Sequence, residues 1–241
     1  MKKIIVLGLL LSLSSACNAQ WNSKKIKGNG NLQTIERSIG DYDRINASGA
    51  FNIDLVNGQE GELEINGDEN LLEYVVTEVE NGTLIIKTQK GINLKPSKHR
   101  SIKINVPVQE INGIKLSGAT DIIGKTTLKA DTFKTNISGA GDMDIDVDTN
   151  ELSISMSGAG DLKISGNTDE LKIKISGAGD ISGYNLDAND VYVESSGASD
   201  VNITALKSLD ARASGASDIS YKGNPDRVKT KSSGASDISK R

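Results

Sequence analysis

Seven aspartates recur at nearly even intervals: Asp121, Asp142, Asp161, Asp180, Asp200, Asp218 and Asp237. Each closes a five-residue core, Ser-Gly-Ala-x-Asp. "SGAGD" begins at Ser138, Ser157 and Ser176, "SGASD" at Ser196, Ser214 and Ser233, and "SGATD" at Ser117, while a worn copy, "SGAFN", begins at Ser48. A row of carboxylates is the chemistry of a hard cation, since calcium takes carboxylate and carbonyl oxygens. It is also an electrostatic problem. If successive copies stack at the spacing of neighbouring strands, about 4.8 Å, like charges repel by about 0.9 kcal/mol per pair even in water-like dielectric. Hydrogen bonds from turn amides, lysines such as Lys163, or bound calcium could offset that cost. The core has one Gly-Asp element per coil, sparser than the nine-residue calcium repeats. Corner-making is therefore the first reading, and a calcium site on the seven aspartates is the alternative.

The elements that must carry these residues follow from the same period. Successive core serines from Ser117 to Ser233 are 21, 19, 19, 20, 18 and 19 residues apart, too short for paired-helix repeats or propeller blades. Before each core apolar and polar residues alternate, as in Leu152, Ile154, Met156 and Leu171, Ile173, Ile175. That is the period of a half-buried strand. A second short strand follows, as in "DLKIS" and "DVNIT", and turn residues close the coil at Gly166-Asn167 and Gly223-Asn224-Pro225. The fold class is all-β: a single-stranded parallel β-helix or β-solenoid, expected to be right-handed, with about 19 residues per coil. Extending the alternation places Ser176 outside, the corner at Gly177, Ala178 inside it, and Asp180 just ahead of an inward Ile181. The inward residues shrink and turn polar toward Arg241, through Leu209-Ala211-Ala213 to Val228-Thr230-Ser232. This predicts a finite stack with a built-in end.

Composition agrees. Aromatics make up 3% of the 241 residues and Gly numbers 25, with Pro at only 3, so the core is aliphatic and β-branched. Net charge is −4, and loss of Lys2 and Lys3 by cleavage makes it −6. A mildly acidic chain with no evident basic patch excludes nucleic acid as the expected partner. The first residues, "MKKIIVLGLLLSLSSACNAQ", read as an export signal with an apolar stretch from Ile4 to Leu13. Two cleavages compete: a lipoprotein cut that leaves a lipidated Cys17, or a cut after Ala19 that leaves Gln20. Cys17 is the only cysteine, which excludes a disulfide scaffold and a cysteine enzyme. No later apolar run is long enough to span a bilayer.

Four regions are expected: the export signal over 1–19, a lead-in over 20–43, an irregular β-helical part over 44–112, and the regular repeat over 113–241. In the irregular part, "NLLEYVVTEV" fits a short helix over Asn70–Thr77 or a strand. The basic loop "KGINLKPSKHR" holds the single histidine, His99, and reads as surface.

The segment "INASGAFNIDLVNGQEGELEINGDENLLEYVVTEVENGTLIIKT" (45–88) together with the "SGAGD" series resembles the putative auto-transporter adhesin family with a head GIN domain, found in exported proteins of Bacteroidetes. The resemblance covers about residues 40–240. It implies a β-helical fold and a cell-surface or adhesion role, with no catalytic or ligand residues to carry over.

Catalysis on polysaccharide, which some β-helices perform, needs carboxylates in an asymmetric cluster with separated pKa values. Here the carboxylates repeat from coil to coil, and no nucleophile triad, His/Cys cluster or phosphate loop is present. The chain is thus expected to be a non-catalytic, exported binding or structural module of the periplasm, outer membrane or cell surface. Its outward Ser and Asp rows would meet a glycan or another envelope protein by weak multivalent contact.

Overall fold

The computed structural model describes residues 23–241, so the expected export signal over 1–19 and Cys17 lie outside the described residues. The chain winds into a parallel β-solenoid of about seven coils. Strands Asp121–Ile137, Met143–Met156, Leu162–Ile175, Ile181–Gly197 and Asp200–Gly215 lie side by side in chain order. The last coil consists of Arg227–Gly234 and Asp237–Lys240, which pair with Asp200–Gly215 and Asp218–Lys222 respectively. Register follows the sequence repeat: Leu152 faces Leu171, Leu171 faces Val191, Val191 faces Leu209, and Leu209 faces Val228.

The core is this inward column repeated three times per face. Phe133, Leu152, Leu171, Val191 and Leu209 are all buried, as are Ile154, Ile173, Val193 and Ala211 in the next column. Alternation dictates the arrangement, because residues two apart share a face of the strand. At the C-terminal end the columns change character. Ser195, Ser199 and Ser217 are buried, and Ser195 and Ser199 hydrogen-bond to one another at 2.9 Å. The coil from Arg227 to Gly234 covers Leu209, Ala211 and Ala213 while every one of its own residues stays exposed. That end of the stack is finished by polarity and by Arg227, Lys229 and Lys231 along its outer strand, residues that discourage a further strand from pairing.

The N-terminal half is not wound in chain order. Strands Arg44–Gly49 and Phe51–Asn57 are inserted between later pieces of chain. Arg44–Gly49 pairs with Thr83–Thr88 on one side and Gly113–Gly118 on the other, while Phe51–Asn57 pairs with Ile102–Val108 and with Asp121–Gly124. The chain thus lays down one coil, adds the coil beneath it, and then steps over the first to begin the regular repeat. Antiparallel strands close this end: Leu32–Ser38 on Glu62–Asp68, Glu62–Asp68 on Ile102–Val108, and Val75–Glu80 on Thr83–Thr88. The last pair is a hairpin turning on Asn81-Gly82, both at positive φ, as a two-residue turn requires. The ambiguous segment "NLLEYVVTEV" contains both forms, a one-turn helix at Glu69–Leu72 and then the strand from Val75.

Candidate functional site

The Ser-Gly-Ala-x-Asp cores stack into a ledge along one corner of the solenoid. The worn copy belongs to it: Ser48 pairs with Ser117 and Gly49 with Gly118, although 69 residues separate them in the chain. Asn52 lies beneath Asp121, and Lys103 beneath Asn52. The row of acids therefore ends on an amide and then an ammonium.

Sterics fix the glycine. A Cβ on Gly158 would sit 1.9 Å from the carbonyl oxygen of Gly139, and one on Gly177 would sit 2.0 Å from that of Gly158. The same carbonyls receive the next coil's backbone, with the Ala159 N–H donating to Gly139 at 2.9 Å and the Ala178 N–H to Gly158 at 3.0 Å. The corner is tight because coil-to-coil hydrogen bonds continue straight through it.

The fourth residue of the core distinguishes two backbone forms. In "SGAGD" the first glycine stays out of the left-handed region, and the second is crowded as well: a Cβ on Gly160 would lie 2.0 Å from the Gly141 oxygen. In "SGASD" the first glycine turns left-handed, with φ 130° at Gly197 and 85° at Gly215, and the fourth residue carries a side chain. Ser199, Ser217 and Thr120 occupy that position and are buried. This reverses one expectation. Ala178, Ala159 and Ala198 face outward, and the residue after each of them faces inward. The two-residue alternation in fact runs unbroken through the corner, with Ile175, Gly179 and Ile181 inward and Ser176, Ala178 and Asp180 outward.

The aspartates form a ladder of side chain to main chain. Asp121 accepts from the Asp142 N–H at 3.1 Å, Asp142 from Asp161 at 2.9 Å, Asp161 from Asp180 at 3.0 Å, and Asp180 from Asp200 at 2.8 Å. Asp218 accepts from Asp237 at 3.0 Å. A carboxylate receiving a backbone N–H is a charge-assisted bond, so turn amides offset the row's repulsion. Lys163 does not serve the row; it pairs with Asp144 at 2.8 Å. The ladder breaks once. The Asp218 N–H donates to the Ser199 carbonyl at 3.0 Å, leaving the Asp200 carboxylate without that partner. Burial, together with the Asp180 and Asp218 charges on either side, raises the Asp200 pKa. Among the described residues, no three His, Cys, Asp or Glu side chains gather as a metal cage. The seven aspartates lie one per coil, in a line.

Beside the ledge runs a groove of about 670 Å³. One wall carries Ser138, Ser157, Ser176 and Ser196, the first residue of each core. The other carries Asn136, Ser155, Lys174 and Glu194, which are register partners. Each coil thus contributes one hydroxyl and one further polar or charged group. Lys174 and Glu194 form a partly exposed pair at 3.8 Å. Further along the same face, Arg212 lies over the Tyr192 ring at 5.4 Å, and the Tyr192 hydroxyl donates to Glu194 at 3.1 Å. The alternation "VYVES" places Tyr192 outward.

His99 is exposed at φ 62°, a surface turn residue as expected.

A parallel stack of coils with a polar ledge and groove repeated along it defines a β-solenoid protein. The chain belongs to the family described as "Putative auto-transporter adhesin, head GIN domain", whose pattern matches residues 41–225. Solved structures agree. A putative adhesin from Bacteroides fragilis is 25% identical, with a TM-score of 0.83 over 90% of this chain and 100% of its own. A protein from Parabacteroides distasonis described as a putative lipid binding protein is 26% identical, with a TM-score of 0.74 over 90% of this chain and 100% of its own. A putative adhesin from Parabacteroides merdae, 23% identical, shares the fold with a TM-score of 0.71 over 91% of this chain and 100% of its own. No curated protein matches the chain.

Proposed function

We propose that the protein is an exported, non-catalytic binding module of the cell envelope that holds a repetitive polar partner, a glycan chain, in the groove beside the Ser-Gly-Ala-x-Asp ledge. The observation that carries this reading is the groove's periodicity, one serine hydroxyl and one polar or charged side chain per coil. Each contact is weak and solvent-exposed, but contacts in series on one ligand multiply through effective concentration. The ledge supplies the rigidity: with its glycines locked coil to coil and its aspartates tied to amides, the rows keep a fixed spacing. Family membership supports the adhesive role and the export that it needs. The calcium reading of the Asp row is the alternative, and it is tested by metal-dependent stability below.

Immobilised polysaccharides, neutral dextran and acidic alginate among them, test the proposal. Retention of the protein should depend on Ser155 and Ser157, and filling the groove with Ser155→Trp should abolish it. Equal retention of the variant would place binding elsewhere.

A further inference from the structure

The sequence reads as lacking a basic patch, but folding makes one. Strand Lys24–Lys27 pairs in parallel with Ile92–Lys95, with Lys25 opposite Asn93 and Lys27 opposite Lys95. Ile26 and Leu94 pack on the core, while Lys25, Lys27 and Lys95 face solvent. Lys24, Lys90 and Lys98 are exposed beside them, and neither residues 23–31 nor 89–100 contain an Asp or Glu. Among the described residues, none of these six ammonium groups has a carboxylate within 4.0 Å. Lys95 pushes the Lys25 pKa down, and Lys27 adds to the effect. Like charges are held together here with no ion-pair partner among the described residues.

The patch is built, not adventitious. The buried Asp68 accepts from the Gly30 N–H at 2.9 Å and the Ser97 N–H at 2.8 Å, which ties both basic segments to one carboxylate. Gly28 passes so close that a Cβ would fall 2.3 Å from the Asp68 Oδ2. Asn70 accepts from the Asn29 N–H and donates to the Lys27 carbonyl, both at 2.8 Å. Arg100 donates to the Gly30 carbonyl at 2.8 Å and is spent on this scaffold. The exposed Glu69 accepts from the Asn29 side-chain amide at 3.4 Å.

We infer that this lysine ribbon is a docking foot that seats the N-terminal end of the solenoid on an anionic lipid surface. Its location and chemistry favour a membrane over a polyanionic chain. The ribbon sits at the end of the stack closed by Glu62–Asp68, next to Ser23, where the segment bearing the apolar stretch and Cys17 joins the body. A lipid on Cys17 would be seven residues from Lys24, at most about 25 Å of extended chain. The six free cations are all lysines. Such point charges suit a diffuse headgroup layer better than the stacked, directional recognition of a single strand or the planar fork of arginine. The rest of the molecule reinforces the orientation. Residues 141–200 hold thirteen acidic residues against three lysines, so an anionic surface repels the flank while it attracts the end. The solenoid then stands upright, with its groove free along the side.

Vesicle flotation with the full chain tests this. The probes are vesicles of phosphatidylcholine alone and of equal parts phosphatidylcholine and phosphatidylglycerol, at low and physiological salt, with soluble dextran sulfate as a separate ligand. Binding to the anionic vesicles should be at least about tenfold tighter than to neutral ones and should weaken with salt. The triple variant Lys25→Gln, Lys27→Gln, Lys95→Gln should lose that difference. A control that removes the same charge elsewhere, Lys172→Gln, Lys207→Gln, Lys231→Gln, should keep it. Equal binding to both vesicles, an unaffected foot variant, or tighter binding to dextran sulfate than to anionic vesicles overturns the inference. Polysaccharide retention in the groove is indifferent to the foot variant, so the two readings fail separately.

Discussion

The Oδ1 of Asp161 accepts the backbone N–H of Asp180 at 3.0 Å, one full coil away. That bond links a repeated letter of the sequence to the repeated step of the solenoid, and it turns a line of repelling charges into a seam. The next link but one is missing, since Asp200 has no such donor. The two sites should therefore respond oppositely to the same change. Asp161→Ala should cost about 1 kcal/mol, the usual net worth of a hydrogen bond, whereas Asp161→Asn keeps the acceptor and should cost less. Asp200→Ala and Asp200→Asn should be neutral or stabilising. Because the folded-state pKa of Asp200 is raised, its unfavourable charge acts above that pKa and is relieved as pH falls through it. The advantage of Asp200→Asn should accordingly fade in acid. Urea unfolding at neutral and acid pH reads both effects.

Gly158 tests the steric half of the seam. Gly158→Ala places a Cβ within 1.9 Å of the Gly139 oxygen, so it should cost about 3 kcal/mol or more, or prevent folding. Ala159→Ser, one residue on but facing solvent, should stay within about 0.5 kcal/mol of the parent. A mild Gly158→Ala would mean that the coils can part at the corner.

These two residues also show what the sequence could and could not say. The period, the strands and the outward serines were legible, because alternation and a 19-residue step are local facts. The same alternation, carried on from Met156 to Leu162, already puts Ala159 outward and Gly160 inward, and the expectation of an inward alanine erred by breaking it at the glycine. The stacking of Ser48 on Ser117 was not legible, because the chain steps over its own first coil. The lysine ribbon was invisible because Lys25 and Lys95 are seventy residues apart in the chain and meet only when Ile26 and Leu94 are buried.

Asp68 sets an acid limit on the N-terminal end. Burial alone would raise its pKa, but the Ser97 and Gly30 amides and the nearby Arg100 outweigh burial and lower it. A carboxyl depressed in the folded state stabilises above its unfolded value, about 3.9, and that contribution disappears as pH falls through the folded value. Asp68→Ala should cost about 2–3 kcal/mol at neutral pH, since it leaves buried amides unpaired. It should also flatten the acid limb of the stability curve and loosen the basic ribbon, which amide exchange at Gly30 and Ser97 would report.

Calcium separates the two readings of the Asp row. With five carboxylates already held by amides, the melting temperature in calcium should match that in equal magnesium. A rise specific to calcium, growing with its concentration as linkage demands, would make the row a metal site.

Binding of graded oligosaccharides cut from a polysaccharide that the protein retains is the most direct test of the groove. Affinity should climb with oligosaccharide length until the ligand spans the coils from Ser138 to Ser196, and Ser155→Trp should erase that dependence. Affinity that is flat with length, or unchanged in the variant, would contradict a periodic groove as the binding surface.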